Sequence, residues 1–289
     1  MQKDQFNEGP QVCFESLVAG IGCSTLTRGK MLVFEWAQSH KNATHRPSFL
    51  DLPRELRNII YRFAFNVSGA IFIYSADVNA WRPVLKGRVF KYKNQGPPEP
   101  HRVSKTVPIG LLKTCRQIHA ESTEVLYGQN VFSLYVSAAD FVPSYRHLVK
   151  HVSFTTEAGR GIYSADLEVM SYWWRRVFWP NILDMSTHIM LRYNNLQTLT
   201  FLIKSDQPGV TWRPAFLAAK KHRIALAARW LGINCPMRDE RLRQVLHLEI
   251  MPSAGFSKDL TSSKLTPDDG EDEWDGSELA QAFEEMKCF

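Results

Sequence analysis

Long apolar runs are missing from this 289-residue chain. The longest mildly apolar stretch, residues 16–26, falls far short of the ~20 residues that a membrane helix needs, so no membrane association is expected. Asp4 and Glu8 stand where the apolar core of a secretory signal would begin, so none is expected either. Cysteine is sparse. Cys13, Cys23, Cys115, Cys235 and Cys288 are scattered, with no Cys-x-x-Cys pair. Dispersed thiols without a signal read as reduced cysteines in the cytoplasm or nucleus, and they offer no zinc site. Also missing are a Gly-x-Ser-x-Gly elbow, a His-Glu-x-x-His helix, a dinucleotide fingerprint and a phosphate loop. Gly159-Arg-Gly161 has neither the strand–loop–helix setting nor the lysine of a phosphate loop. Neither a cofactor nor an enzymatic activity is expected.

What is present is ordinary globular material: 44% hydrophobic and 22% charged residues, enough to bury a sizeable core. The net charge of +6 conceals an asymmetry. Residues 253–289 hold ten acids against three lysines, a net −7, which leaves +13 on residues 1–252. A basic body with an acidic, solvated tail follows. Such a body suits an acidic partner, with nucleic acid as one class.

Four regions are expected. Residues 1–46 lack sustained periodicity and read as poorly ordered. Residues 47–136 open with an amphipathic helix, with Pro53 in its first turn, Asp51 as N-cap and an apolar stripe of Leu52, Leu56, Ile59, Ile60 and Phe63. Ala70–Tyr74 is a strand candidate, and about 79–106, rich in Pro, Gly and Lys, reads as a flexible loop. A second helix spans about 109–127, with Leu111, Leu112, Cys115, Ile118, Val125 and Leu126 inward and Arg116, Glu121 and Glu124 off that stripe. Val131–Val136 is then a strand by composition.

In residues 137–252 three segments share an apolar-x-x-apolar-x-apolar pattern: Val149, Val152, Phe154; Leu196, Leu199, Phe201; and Val245, Leu248, Ile250. Helical stretches separate them, over 166–190 and 214–231. The alternation predicts an α/β or α+β fold with a mostly parallel, helix-covered sheet. The spacing is also that of a long, degenerate leucine-rich-type repeat. Residues 253–289 are the acidic tail, expected to be disordered, with a short amphipathic helix over 278–286 that puts Leu279, Ala282, Phe283 and Met286 on one side.

Two motifs carry a family resemblance. Phe49, Leu50, Leu52, Pro53, Glu55, Leu56 and Arg57 form an apolar pair followed by Leu-Pro-x-Glu-Leu-Arg. Leu111, Leu112, Thr114, Cys115, Arg116, Gln117, Ile118 and Glu121, then Leu126, Tyr127, Asn130 and Phe132, form the second signature. Together they resemble the F-box-like proteins abundant in filamentous fungi. The resemblance covers about residues 48–136. It implies a protein-interaction module, with Leu52, Pro53, Leu56 and Ile60 at positions that dock the small adaptor of cullin–RING ubiquitin ligases and the remainder recruiting a protein substrate. The chain departs from an F-box after Phe65, where a strand replaces two further helices.

Each candidate has a plainer alternative. The stripe at 52–60 suits a partner's groove or its own core equally in kind. Cys115, with Arg116 and His119 near, has the neighbours of an activated thiol, but its place on the apolar stripe makes it structural. Arg116 and Glu121 are expected to tie the helix to its surroundings. His147 and His151, four apart, lack a third metal ligand. Trp173, Trp174, Phe178 and Trp179, with Arg175 and Arg176 between them, suit either nucleic-acid stacking or a core. Lys220, Lys221, His222 and Arg223 read as a solvated face. The acidic 268–275 run, with Trp274, is free to pin onto the basic body.

Overall fold

The structure, a computed structural model, describes residues 48–75, 85–93, 95–134, 143–159, 161, 164, 166–205, 214–217, 222–250 and 277–288. The expected features at 1–46, at Lys220 and Lys221 and at 268–275 lie outside them. The chain divides into two compact units, Met1–Ile60 and Tyr61–Phe289, with the division inside helix α1 (Arg54–Phe65).

In the first unit a single 3-10 turn, Phe49–Asp51, precedes α1. Its start is a capping box: the Ser48 hydroxyl accepts from the Leu50 N–H at 3.4 Å and the Asp51 carboxylate accepts from the Ser48 N–H at 2.6 Å. Asp51 therefore serves this turn and is not the N-cap of α1. The Pro53 carbonyl accepts the first helical bonds, from Leu56 and Arg57, each at 3.1 Å. The buried Arg57 guanidinium donates to the carbonyls of Leu50 at 3.0 Å and Leu52 at 2.6 Å, which locks the turn to the helix. Leu52 and Leu56 are buried and Ile60 is half-buried, but Ile59 is 45% exposed. Further along α1, Tyr61 and Phe65 are fully buried while Phe63 stands 62% exposed. The helix carries more apolar side chains than one face can hold, and the tyrosine and phenylalanine take the inner positions.

The second unit is built on a seven-stranded sheet. In chain order the strands are β1 (Ala70–Ser75), β2 (Leu85–Phe90), β3 (His101–Arg102), β4 (Val131–Leu134), β5 (His151–Ala158), β6 (Thr198–Ser205) and β7 (Leu246–Ile250). Their spatial order is β3-β2-β1-β4-β5-β6-β7. The strands from β1 through β4 to β7 are parallel neighbours, and β2 and β3 extend the edge antiparallel. The fold is mixed α/β, and the three patterned segments are indeed the successive strands β5, β6 and β7. β2 and β3 correct the expectation of a loop over about 79–106. Lys86, Arg88 and Lys91 give the segment the charge density of a loop, and the prolines that follow mark only its far end.

Each parallel step advances in one direction across the sheet. Parallel connections of this kind follow the right-handed rule, which directs their helices to one face of the sheet. These helices are α2 (Val103–Thr106), α3 (Ile109–Leu112), α4 (Arg116–Gln129), α5 (Leu167–Trp173), α6 (Trp179–Arg192), α7 (Arg223–Asn234) and α8 (Glu240–Val245). A π-helical turn, Trp174–Phe178, joins α5 to α6. The cross-strand register sorts the side chains accordingly. Val89, Ile71, Phe132, Val152, Leu199 and Leu246 form one apolar row and Leu134, Phe154, Phe201 and Leu248 the next, all buried. The opposite face carries the row Arg102, Arg88, Phe72, Ser133, Ser153, Thr200 and His247.

The final helix, α9 (Ser277–Met286), packs on α7 and β7. Leu279, Ala282, Phe283 and Met286 are buried as the pattern predicts. Glu278 pairs with Arg223 and Glu284 with His247. The end of the acidic region thus forms the short helix expected over 278–286 and is not disordered like the tail as a whole was expected to be, because a four-residue apolar stripe outweighs the local charge. Residues 251–276 are outside the described set.

One buried side chain ties the parallel sheet to its flanking helices. Asn130 accepts from the Val67 N–H at 2.7 Å and donates to the carbonyls of Phe65 at 2.7 Å and Leu126 at 2.8 Å. At 2% exposure it has no water to replace these bonds. Asn130→Ala leaves three backbone groups unsatisfied and should cost about 3 kcal/mol or more. Equilibrium denaturation checks this, with exposed Gln129→Ala as a control expected to change stability by less than about 0.5 kcal/mol.

Candidate functional site

The second signature folds as two helices and not one. Cys115 lies between them in extended conformation, φ −156° and ψ 165°, and caps α4: its sulfur accepts from the Ile118 N–H at 3.5 Å. Cys115 is half-buried and sits off the expected stripe, at the break that the short polar run Lys113-Thr114 introduces. Arg116 is exposed in the first turn of α4. Glu121 is buried, against expectation, and accepts from the Tyr61 hydroxyl at 2.9 Å and the Gln117 amide at 3.0 Å. A carboxylate on the inner face is tolerated because both bonds reach it there. The cluster is a structural joint.

His147 is exposed on the 3-10 turn Pro143–Leu148, and its carbonyl accepts from Asn195 at 2.8 Å. His151 opens β5 and its Nδ1 lies 2.9 Å from the Thr198 hydroxyl. The two histidines therefore serve different partners. Among the described residues no group of three or more His, Cys, Asp or Glu is placed to hold a metal ion. Burial, with Lys150 adding to it, lowers the His151 pKa below its ordinary value.

The aromatic cluster is mostly core. Trp174 is fully buried among Phe178, Phe216 and Trp230, with centroids at 4.9, 5.5 and 5.7 Å. Trp179 donates from its indole to the Pro236 carbonyl at 3.0 Å and meets Phe283 edge-on. The outward face of the same segment is apolar as well. Leu167, Val169, Tyr172, Trp173 and Val177 are 49%, 41%, 61%, 40% and 37% exposed. Exposed Arg175 and Arg176 border a hollow of about 490 Å³ that Leu167, Glu168, Ser171 and Tyr172 also line.

Sequence reasoning missed the polar sheet face altogether. Ser133, Ser153 and Thr200 occupy its centre, all buried, and the Ser153 hydroxyl has no hydrogen-bond partner among the described residues. The loop after β2 crosses this face. The Tyr92 hydroxyl bonds Thr200, and Lys93 Nζ pairs with Glu249 on β7 at 2.6 Å. Burial pushes the Tyr92 pKa up; burial would lower that of Lys93, but Glu249 and Tyr92 together raise it. Gly69 and Gly96, both at positive φ, let the two backbones meet: a Cβ on Gly69 would lie 2.3 Å from the Phe90 carbonyl oxygen. A cavity of about 480 Å³ lies on one side of the strap, lined in part by Asn66, Gln95, Gln129, Thr198 and His247. A second of about 480 Å³ is lined by Phe72, Tyr74, Arg88, Phe90, Pro100, Ser133 and Thr155. The signal available was the alternation in Lys86-Gly-Arg-Val-Phe-Lys91, which puts Lys86, Arg88 and Phe90 on one face.

Of the four adaptor-docking candidates, Leu52 and Leu56 are buried, Ile60 is half-buried and Pro53 is exposed. Among the described residues no helix is long and apolar enough to cross a membrane. Residues 42–153 are similar to a family described as "Domain of unknown function (DUF7730)", a match to less than half of the chain. No curated protein and no solved structure matches.

The lowered pKa of His151 has a signed consequence. The unfolded chain binds its proton first as pH falls, so this histidine's contribution is complete above the ordinary histidine range and is lost on descending toward its folded value. Thermal melts from pH 7.5 to 5 should show a shallower loss in His151→Asn than in the unaltered protein.

Proposed function

We propose that the protein is a non-enzymatic protein-interaction module, and that its concrete role is substrate recruitment to a cullin–RING ubiquitin ligase. The supporting observation is the outward face of α5 and its π turn. Five large apolar side chains stand in solvent there within eleven residues. Apolar surface concentrated in this way marks a contact with another protein. Arg175 and Arg176 lie beside it with Glu168 as the one acid among the residues lining its hollow, so the partner of matching chemistry is an acidic amphipathic segment. The patch falls in residues 137–252, the region left to recruit a substrate if residues 47–136 serve the adaptor.

The ligase arm rests on the Leu-Pro-x-Glu-Leu-Arg resemblance. Burial of Leu52 and Leu56 sets a condition on it: capture through these side chains requires the opening segment to release them. Ile60 and Pro53 are the parts within reach without that release.

Two measurements test the two arms separately. The full chain, immobilised, should capture the purified adaptor, and Ile60→Glu should abolish capture while Tyr172→Glu leaves it intact. A synthetic acidic amphipathic helix should bind the full chain in calorimetry and lose about ten-fold or more in affinity with Tyr172→Glu. Absence of adaptor capture removes the ligase arm; an acidic helix indifferent to Tyr172→Glu removes the patch.

A further inference from the structure

We propose that the polar sheet face carries a second site, a platform for single-stranded nucleic acid at the β1–β2 edge, with Phe72, Tyr74 and Phe90 as stacking rings and Lys86, Arg88 and Arg102 as phosphate contacts. This site is separate from the helical patch and does not depend on it.

The geometry follows from period-two alternation. Phe72 and Tyr74 are two apart on β1, Arg88 is paired with Phe72 and Lys86 with Tyr74, and Arg102 is paired with Arg88, so all five point to the same face. Phe90, two beyond Arg88, joins them. The Phe72 and Tyr74 rings lie near parallel at 5.8 Å, Phe90 meets Phe72 edge-on at 6.2 Å, and the Arg88 guanidinium sits 5.4 Å from the Tyr74 centroid. The rings are half-buried and therefore keep surface for a ligand, and Lys86, Arg88 and Arg102 are exposed. The hollow between them, about 480 Å³, has Ser133 and Thr155 in its lining, hydroxyls able to bond a base edge.

Charge selects the occupant. From Lys86 to Lys105 the chain holds six Lys or Arg residues and one acid, Glu99. The acids of the described strands on this face are already neutralised: Glu157 by Lys204 at 2.8 Å and Glu249 by Lys93 at 2.6 Å. A row of cations beside open aromatic faces suits a ligand that alternates phosphate with a flat base. An acidic peptide would satisfy the cations but leave the rings in water. Duplex is disfavoured because its bases are already stacked.

The test is fluorescence anisotropy of the full chain with labelled twelve-nucleotide uridine RNA and thymidine DNA, at low and moderate salt. Binding to one or both is expected, and the stronger of the two identifies the sugar preferred. Tyr74→Ala should weaken it about ten-fold and Tyr74→Phe should retain it, since stacking needs the ring and not the hydroxyl. The exposed pair Lys86→Ala with Arg88→Ala should lower the salt slope by about 1.4, two contacts at about 0.7 each for a single strand. The proposal is overturned by lack of binding at low salt. It is equally overturned by polyglutamate that competes as well as the oligonucleotides, or by a salt slope unmoved in the double variant.

Discussion

Everything in the second unit depends on a directional constraint: each parallel strand is laid down on the same side of its predecessor. A right-handed connection then has only one face on which to put its helix, and five parallel strands in one sense direct the connecting helices there. A sheet wound in both directions from a central strand would be covered on both faces. Here the covered face becomes a continuous apolar layer from Val89 to Leu248, while the other face is free to carry Ser133, Thr155, Thr198 and Glu249. Polar residues in the middle of parallel strands are thus a direct result of topology.

That asymmetry has a cost which the structure meets locally. Buried hydroxyls at Ser133 and Thr200 need partners, and the strap after β2 brings the Tyr92 hydroxyl to Thr200. The strap is held at its tip by mutual backbone bonds between Tyr92 and Gln95 at 2.8 and 2.9 Å, and beyond them by Lys93 on Glu249. The antiparallel edge therefore does more than widen the sheet: its following loop closes part of the uncovered face. At the other edge α9 does comparable work on β7, with Glu284 held below its ordinary pKa range; burial would raise it, but His247 and Lys287 prevail.

Legibility in the sequence followed from how singular each pattern was. β5, β6 and β7 could be read because their inward residues are Val, Leu and Phe in a repeated spacing, and α9 because four apolar residues stand alone in a polar stretch. β2 could not, since its outward residues are basic and its inward ones include Gly87; the same Lys and Gly density normally marks a loop. Periodicity gives α1 as a helix and puts Leu52 and Leu56 inward correctly, but Ile59, Tyr61, Phe63 and Phe65 compete for one inner face and periodicity alone does not rank them. Charge alone puts Glu121 outside, because its bond from Tyr61 exists only after α1 and α4 have met. Cys115 needed knowledge of a helix break that no single residue there announces. Of the interaction surfaces, the helical patch was half visible as an aromatic run, and the sheet platform was invisible because its residues come from β1, β2 and β3 at once.

The two aromatic groups show why composition could not decide which surface is open. Trp174, Phe178 and Trp179 sit on a segment where a π turn shifts the helical phase, and the three large rings all land inward against Phe216, Trp230 and Phe283. Val177 within the turn stays exposed, as do Tyr172 and Trp173 just before it. Phe72, Tyr74 and Phe90 have no such choice: strand alternation assigns them the face opposite Ile71 and Val89. Burying an aromatic ring is worth a few kcal/mol, so rings kept half in solvent on a sheet with a full apolar layer on its other side are not there for want of a core. Their cationic neighbours point the same way. Lys86, Arg88 and Arg102 share one face, where like charges repel; Arg88 is drawn to the Tyr74 ring, and an anion lying across the three would offset the repulsion that remains.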